Sequence, residues 1–305
     1  MTQGDDLRSD LTSSLPLIRT KLYLPAPRSQ TLSRSRLLDA QAPARLLLVT
    51  APAGFGKTTF VADWIRRTNH RAAWLSLDER DNDFTRFFLY LIAAIQTQIP
   101  AFGRELAAGM QNPSSLGQAL VMDALLSELA GHSQQLLLAL DDYHVIQNEE
   151  IHRQFATLID YLPPTIQLIV ISRADPDLPL ARWRASGQLT EVNAIDLRFN
   201  KQEAHDFLHN TMGLALPADI VARLEQKTEG WAAGLQLAAL SVRGARDPLD
   251  AIQQFAGGDR NVTDYLISEV MSRQPQDVQH FLESTSILGE FNGDLCDFLL
   301  ETQGS

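Results

Sequence analysis

The sequence is short of several things. There is one cysteine, Cys296, in 305 residues. No disulfide can form within the chain, which suits a reducing compartment and a buried, inert thiol. No apolar run approaches the ~20 residues that a membrane-spanning helix needs, and the acidic, polar start Met1–Asp6 lacks the apolar core of a signal peptide. Positive charge is also scarce. With 26 Lys and Arg against 37 Asp and Glu, the net charge is −11. That argues against a reader of nucleic acid acting through this chain alone, because such a reader needs a basic face. There is no His/Cys group at metal-ligand spacing, no nucleophile triad and no internal repeat. A soluble cytoplasmic protein is expected, with apolar content of 45% and a length of about two domains.

What is present begins with Leu46-Leu47-Leu48-Val49, then Ala51-Pro52-Ala53-Gly54-Phe55-Gly56-Lys57-Thr58-Thr59, then an amphipathic run from Phe60 to Arg66. The order strand, Gly-containing loop, helix is the context of a phosphate-binding loop. Gly54 and Gly56 let the backbone curl with its N–H groups inward. The following helix adds its unpaired N–H groups and the positive end of its dipole. Lys57 can reach the β/γ-phosphates, and Thr58 can offer a hydroxyl to Mg²⁺. Ala51 stands where a first Gly is usual.

Further strands are expected at about 45–51, 72–77, 136–142, 166–173 and 189–197, with helices at about 59–68, 84–99, 116–131 and 150–162. Leu136–Leu140 is a continuous apolar run ending in Asp141-Asp142, as in a buried parallel strand with acids at its C-terminal edge, where open α/β sheets bind ligands. Asp141 is placed to reach the Mg²⁺ shell. Asp142 can polarise a water or hydrogen-bond its neighbours. Arg173 senses a γ-phosphate or is an exposed strand-end arginine; His144 is a structural loop histidine or senses the γ-phosphate. Arg34 and Arg36 line the base and ribose side of the nucleotide or are solvated at a helix start. From Asn200-Lys201-Gln202-Glu203, a capping-box pattern, the chain reads as helical, with segments near 201–212, 217–228, 231–243 and 261–273 and another after Pro275.

Taken together, these stretches resemble the STAND class of signal-transducing P-loop ATPases, and within it the MalT-like LuxR-type transcriptional activators. The residues that carry the likeness are Thr20-Lys21-Leu22, Arg34–Leu37, Ala51–Thr59, Trp74–Asp78, Phe87–Leu91, Leu140-Asp141-Asp142-Tyr143-His144, Ile171-Ser172-Arg173 and Gly230–Leu237, from about 17 to 300. The resemblance implies a flexible start (1–16), a P-loop α/β domain with a parallel sheet of about five strands (17–198), an all-α helical lid (199–256) and the start of a winged-helix domain (257–305). It implies a slow ATPase switch that rests with ADP and opens into an oligomer with ATP and an inducer. Ala53, Gly54, Phe55, Gly56, Lys57, Thr58 and Thr59 match the phosphate loop, Thr58 and Asp141 the Mg²⁺ ligands, Asp142 with Lys57 the hydrolytic pair, and Arg173 the phosphate sensor. Gly230-Trp231-Ala232 matches the motif near adenine, where many relatives outside the MalT group have Pro at the third place. Such activators also carry an inducer-sensing repeat region and a DNA-reading helix-turn-helix. Neither is in the sequence, so a fragment or a shortened relative is expected. The alternative is a stand-alone P-loop ATPase or phosphotransferase whose purpose is turnover.

Overall fold

The computed structural model describes residues 17–26, 32, 34–38, 44–68, 70–111, 117–244, 260–288 and 292–300. The expected flexible start at 1–16 and the Gly257-Gly258 opening of a helix lie outside these residues.

Five strands form one parallel sheet: β1 Leu46–Thr50, β2 Arg71–Ser76, β3 Leu136–Asp141, β4 Ile166–Ser172 and β5 Leu189–Val192, in the order β2-β3-β4-β1-β5. The strands are apolar almost throughout because both sheet faces are covered. Their side chains alternate between two cores. Leu46, Leu48, Leu138 and Val170 pack with the helices α2 Phe84–Gln96, α3 Arg104–Met110, α4 Gln118–Ala130 and α5 Glu149–Tyr161. Leu47, Val49, Ala139 and Ile171 face the opposite side, against Phe60, Val61 and Trp64 of α1 Lys57–Thr68.

The helices α3, α6 Leu180–Ala185 and Gly293–Leu300 were not anticipated. The fifth strand is shorter than expected. It stops at Val192 because Asn193 accepts hydrogen bonds from the backbone N–H groups of Ile195 and Asp196 and caps a helical turn, Ala194–Leu197. The local capping energy outweighs the strand propensity of the apolar residues beyond it.

Beyond Phe199 the described chain is helical. α7 Lys201–Asp206 opens on the Asn200–Glu203 capping box and runs into a wide turn, Phe207–Thr211. Next come α8 Ala218–Thr228, α9 Ala232–Gly244, α10 Arg260–Glu269, α11 Gln276–Thr285 and α12 Gly293–Leu300. α7 to α9 share a core of their own around Leu208, Leu224, Leu235 and Ala239. Its junction with the sheet region turns on Gly230, whose φ is +70°. The Phe199 N–H donates to the Gly230 carbonyl at 2.8 Å. A Cβ on Gly230 would sit 2.4 Å from the Phe199 carbonyl oxygen, so no other residue fits there.

The segment after β3 is held from the opposite loop. The Asn82 amide donates to the Val145 carbonyl at 2.7 Å, and its oxygen accepts from the Gln147 N–H at 2.6 Å. Next to it, buried Asp81 takes ion pairs from Lys21 and Arg86. The start of the described chain is thereby locked to the loop that holds Val145 and Gln147. No helix among the described residues is long and apolar enough to cross a membrane.

Candidate nucleotide site

The turn 51–56 leaves β1 at the carboxyl edge of the sheet, with Gly54 at φ +80° and Gly56 at φ +79°. Both lie in the left-handed region, which a Cβ disfavours by ~1–2 kcal/mol per residue. α1 begins at Lys57, and the Gly56 carbonyl already accepts from the Phe60 N–H at 2.8 Å. The remaining N–H groups of this first turn stand at the loop's mouth, where an anion is favoured.

Lys57, Thr58, Asp141 and Arg173 come together although they belong to three different strand ends. Lys57 is 8% exposed, and its ammonium donates to the Pro52 carbonyl at 3.0 Å. Burial, and then the charge of Arg173, push its pKa down to about 8 against the pull of Asp142 and Asp141. The Thr58 hydroxyl donates to Asp141 Oδ1 at 3.1 Å. Asp141 is 5% exposed. Burial, reinforced by the charge of Asp142, pushes its carboxyl up to about 7, although Thr58 and the Asp142 N–H both donate to it. Each charge here is held at a cost that an added partner would remove. A polyanion would satisfy Lys57, and a divalent cation would satisfy Asp141. A hydroxyl and a carboxylate are the hard oxygen donors that Mg²⁺ takes. The residues present therefore fit a magnesium–phosphate group.

Asp142 stands in the left-handed region, φ 58° and ψ 37°, with its carboxylate half-exposed and 3.8 Å from His144 Nδ1. Among non-glycine residues only Asp142 and Glu229 of the described residues have positive φ. Strain of this kind concentrates at functional sites.

The helical region closes on the loop directly. The Trp231 indole N–H donates to the Ala53 carbonyl at 3.1 Å, and the Ala233 N–H donates to the Gly54 carbonyl at 2.9 Å. A Cβ on Gly54 would stand 2.6 Å from Ala233 Cβ and 2.8 Å from the Tyr265 hydroxyl. The Tyr265 ring lies edge-on to Trp231. Beside these contacts is a cavity of about 350 Å³. Gly54, Gly56 and Thr59 line it from the loop and α1, and Leu32, Phe60, Phe199, Phe207 and Leu237 supply apolar walls. A largely apolar slot bordered by the glycines of the loop suits a flat heterocycle joined to phosphates.

The other expected site residues fall as follows. Phe55 packs partly buried beside the α1 core. Arg34 borders the cavity, but its guanidinium is turned to structure. It is 5% exposed, donates to Glu203 at 3.0 Å and to the Leu197 and Arg198 carbonyls at 3.0 and 3.1 Å, and lies over the Phe199 ring. Arg36 pairs with Glu203 at 2.9 Å and donates to the Asp196 and Arg198 carbonyls. It is not among the residues that line the cavity. The two arginines fasten the chain before β1 to the start of the helical region, which neither of their expected readings described. Arg173 reaches α10, where it donates to the Glu269 carbonyl at 3.1 Å. Gln236 belongs to the Gly230–Leu237 stretch, whereas Tyr265, Phe199, Phe207 and Glu269 were not singled out in the sequence. They carry no motif, and only long-range folding brings them to the loop.

A family model described as the MalT winged helix domain matches residues 267–305. The chain is 37% identical over 287 residues to the HTH-type transcriptional regulator MalT of one Klebsiella pneumoniae strain and 36% identical to that of another. Those alignments cover 92% of this chain and 31% of each relative, so the chain spans about a third of their length. Among solved structures, a Walker-type ATPase of Pyrococcus abyssi superposes with a TM-score of 0.53 at 14% identity, covering 89% of this chain and 82% of that one. This supports the fold, a P-loop α/β sheet followed by helical units. With a sequence likeness that runs through almost the whole chain and a winged-helix match at its end, the chain is MalT-like, similar to a stretch about a third the length of those regulators.

Proposed function

We propose that the chain is the nucleotide-responsive switch region of a MalT-like transcriptional regulator, binding ADP or ATP with Mg²⁺ between its sheet edge and its helical lid. The observation that carries this reading is the pair of hydrogen bonds from Trp231 and Ala233 to the carbonyls of Ala53 and Gly54. They make the loop that would hold phosphate and the helices that would move one mechanical unit. A nucleotide that fits the loop differently as ADP and as ATP then shifts the balance between closed and open arrangements.

In this reading Gly54, Gly56 and the first turn of α1 cradle the phosphates, and Lys57 neutralises them. Thr58 and Asp141 hold Mg²⁺, which when bound supplies charge neutralisation between phosphate oxygens. Asp142 orients a water toward the terminal phosphate, so hydrolysis resets the switch slowly. The regions 17–198, 199–256 and 257–305 serve as engine, lid and start of the clamp. An inducer site and the DNA contacts belong to the parts of a longer regulator that lie beyond the aligned third. Such a protein acts in the cytoplasm.

Light scattering after size exclusion tests this, run in ADP-Mg and in ATP-Mg beside the variant Asp142→Asn. The expected result is a monomer with ADP and a larger assembly with ATP. Asp142→Asn should still bind ATP, hydrolyse it about 10²-fold or more slowly and keep the assembled form longer. Rapid steady turnover without any assembly would instead identify an enzyme whose purpose is the reaction.

A further inference from the structure

Glu269 is the last residue of α10 and lies within the winged-helix match. Its main-chain carbonyl accepts from Arg173 Nη1 at 3.1 Å, and its carboxylate Oε2 lies 3.5 Å from Arg173 Nη2. Arg173 thus meets two negative features at one helix end: a side-chain charge and a carbonyl of the last turn, the negative pole of the helix dipole. Arg173 also belongs to the phosphate loop's neighbourhood. It follows Ser172, the β4 residue in register with Thr50, and the Ser172 carbonyl accepts from the Ala51 N–H at 3.3 Å. The same guanidinium is close enough to Lys57 to lower the lysine's pKa.

We propose that Glu269 is a positioning residue of the nucleotide site, which holds the Arg173 guanidinium at the end of α10 until a terminal phosphate competes for it. The inference deepens the switch reading above and rests on it. An ADP-bound loop presents no third phosphate, so Arg173 stays on Glu269 and α10 stays against the sheet edge. A triphosphate presents a stronger anion, and each state of Arg173 excludes the other. Glu269 therefore sets how well the site discriminates three phosphates from two, without touching the nucleotide itself.

The test is a double-mutant cycle read by binding of fluorescent ADP and of a fluorescent non-hydrolysable ATP analogue, both with Mg²⁺. Glu269→Gln keeps side-chain size and leaves the main-chain contact in place. It is expected to raise affinity for the triphosphate relative to the diphosphate about three- to fivefold, the scale of a partly exposed ion pair. Glu269→Lys, which repels Arg173, should move the ratio further the same way. In an Arg173→Ala background neither change should alter the ratio. A ratio unchanged by both substitutions, or changed equally without Arg173, overturns the assignment of Glu269 and leaves the switch reading standing. A wild-type chain that binds neither nucleotide overturns both.

Discussion

Replacing Lys57 by alanine is expected to weaken ADP and ATP binding by about 10- to 150-fold, the loss of a charge-assisted hydrogen bond worth about 1.5–3 kcal/mol. Lys57 is nearly buried, and its one direct acceptor is the Pro52 carbonyl of its own loop. Burial and the charge of Arg173 outweigh the pull of Asp142 and Asp141 and lower its pKa to about 8. Removing it takes away attraction for phosphate but little native packing. The variant should therefore fold, and its unfolding midpoint without nucleotide should equal or exceed that of the wild type. The sign follows from linkage. The unfolded chain binds the Lys57 proton more tightly than the folded chain does, so ionised Lys57 is a burden below pH 8, which is relieved as pH rises toward the unfolded value of 10.5. Arg36→Ala is the natural comparison, because Arg36 binds Glu203 and two carbonyls away from the loop. It should cost stability at the junction with little direct effect on phosphate. Fluorescence titration with both nucleotides, beside thermal unfolding, separates the two.

Asp141→Asn should move stability and binding in opposite directions. The folded-state pKa of Asp141 is about 7 against an ordinary 3.8. Between those values the folded chain binds more protons than the unfolded one. The group's stabilising contribution is complete below pH 3.8 and is lost as pH rises through 7. The ionised carboxylate then costs the ligand-free protein up to about 4 kcal/mol. Asparagine retains an acceptor for the Thr58 hydroxyl and removes that charge. At pH 8 the ligand-free variant should be more stable by about 1–3 kcal/mol, and near pH 4 the difference should vanish. In exchange, the Mg²⁺ dependence of ATP binding should be largely lost. Denaturant unfolding at the two pH values checks the first half, and nucleotide titration with and without Mg²⁺ checks the second. A destabilised variant at pH 8 would mean that Asp141 is a structural acid rather than one kept charged for a cation.

Local signals carried much of the site. The phosphate loop, the apolar strand ending in Asp141-Asp142 and the capping box at Asn200–Glu203 are short-range patterns, and their elements formed where the pattern placed them. Parallel pairing was also legible, because fully apolar strands imply two covered faces. The strand order was not, since nothing in the run Ile166–Ser172 specifies that β4 lies between β3 and β1. The overlong fifth strand failed for a physical reason, as Asn193 draws the chain into a helical turn within a run that reads as extended. Arg34 does border the cavity, but the acceptors of Arg34 and Arg36 were not legible, because they lie more than 150 residues later in Glu203 and the 196–198 carbonyls. Tyr265 and Glu269 were invisible for the same reason. Their roles come from where α10 ends, not from the residues around them.

The central claim is that the loop of Gly54, Gly56 and Lys57, closed by Trp231 and Ala233, holds a nucleotide. The most direct measurement is the nucleotide content of the purified chain, extracted by denaturation and identified by chromatography, with Lys57→Ala prepared alongside. The account expects close to one ADP per wild-type chain and a large loss in the variant. Empty wild-type protein that also takes up neither ADP nor ATP when they are supplied with Mg²⁺ would contradict it.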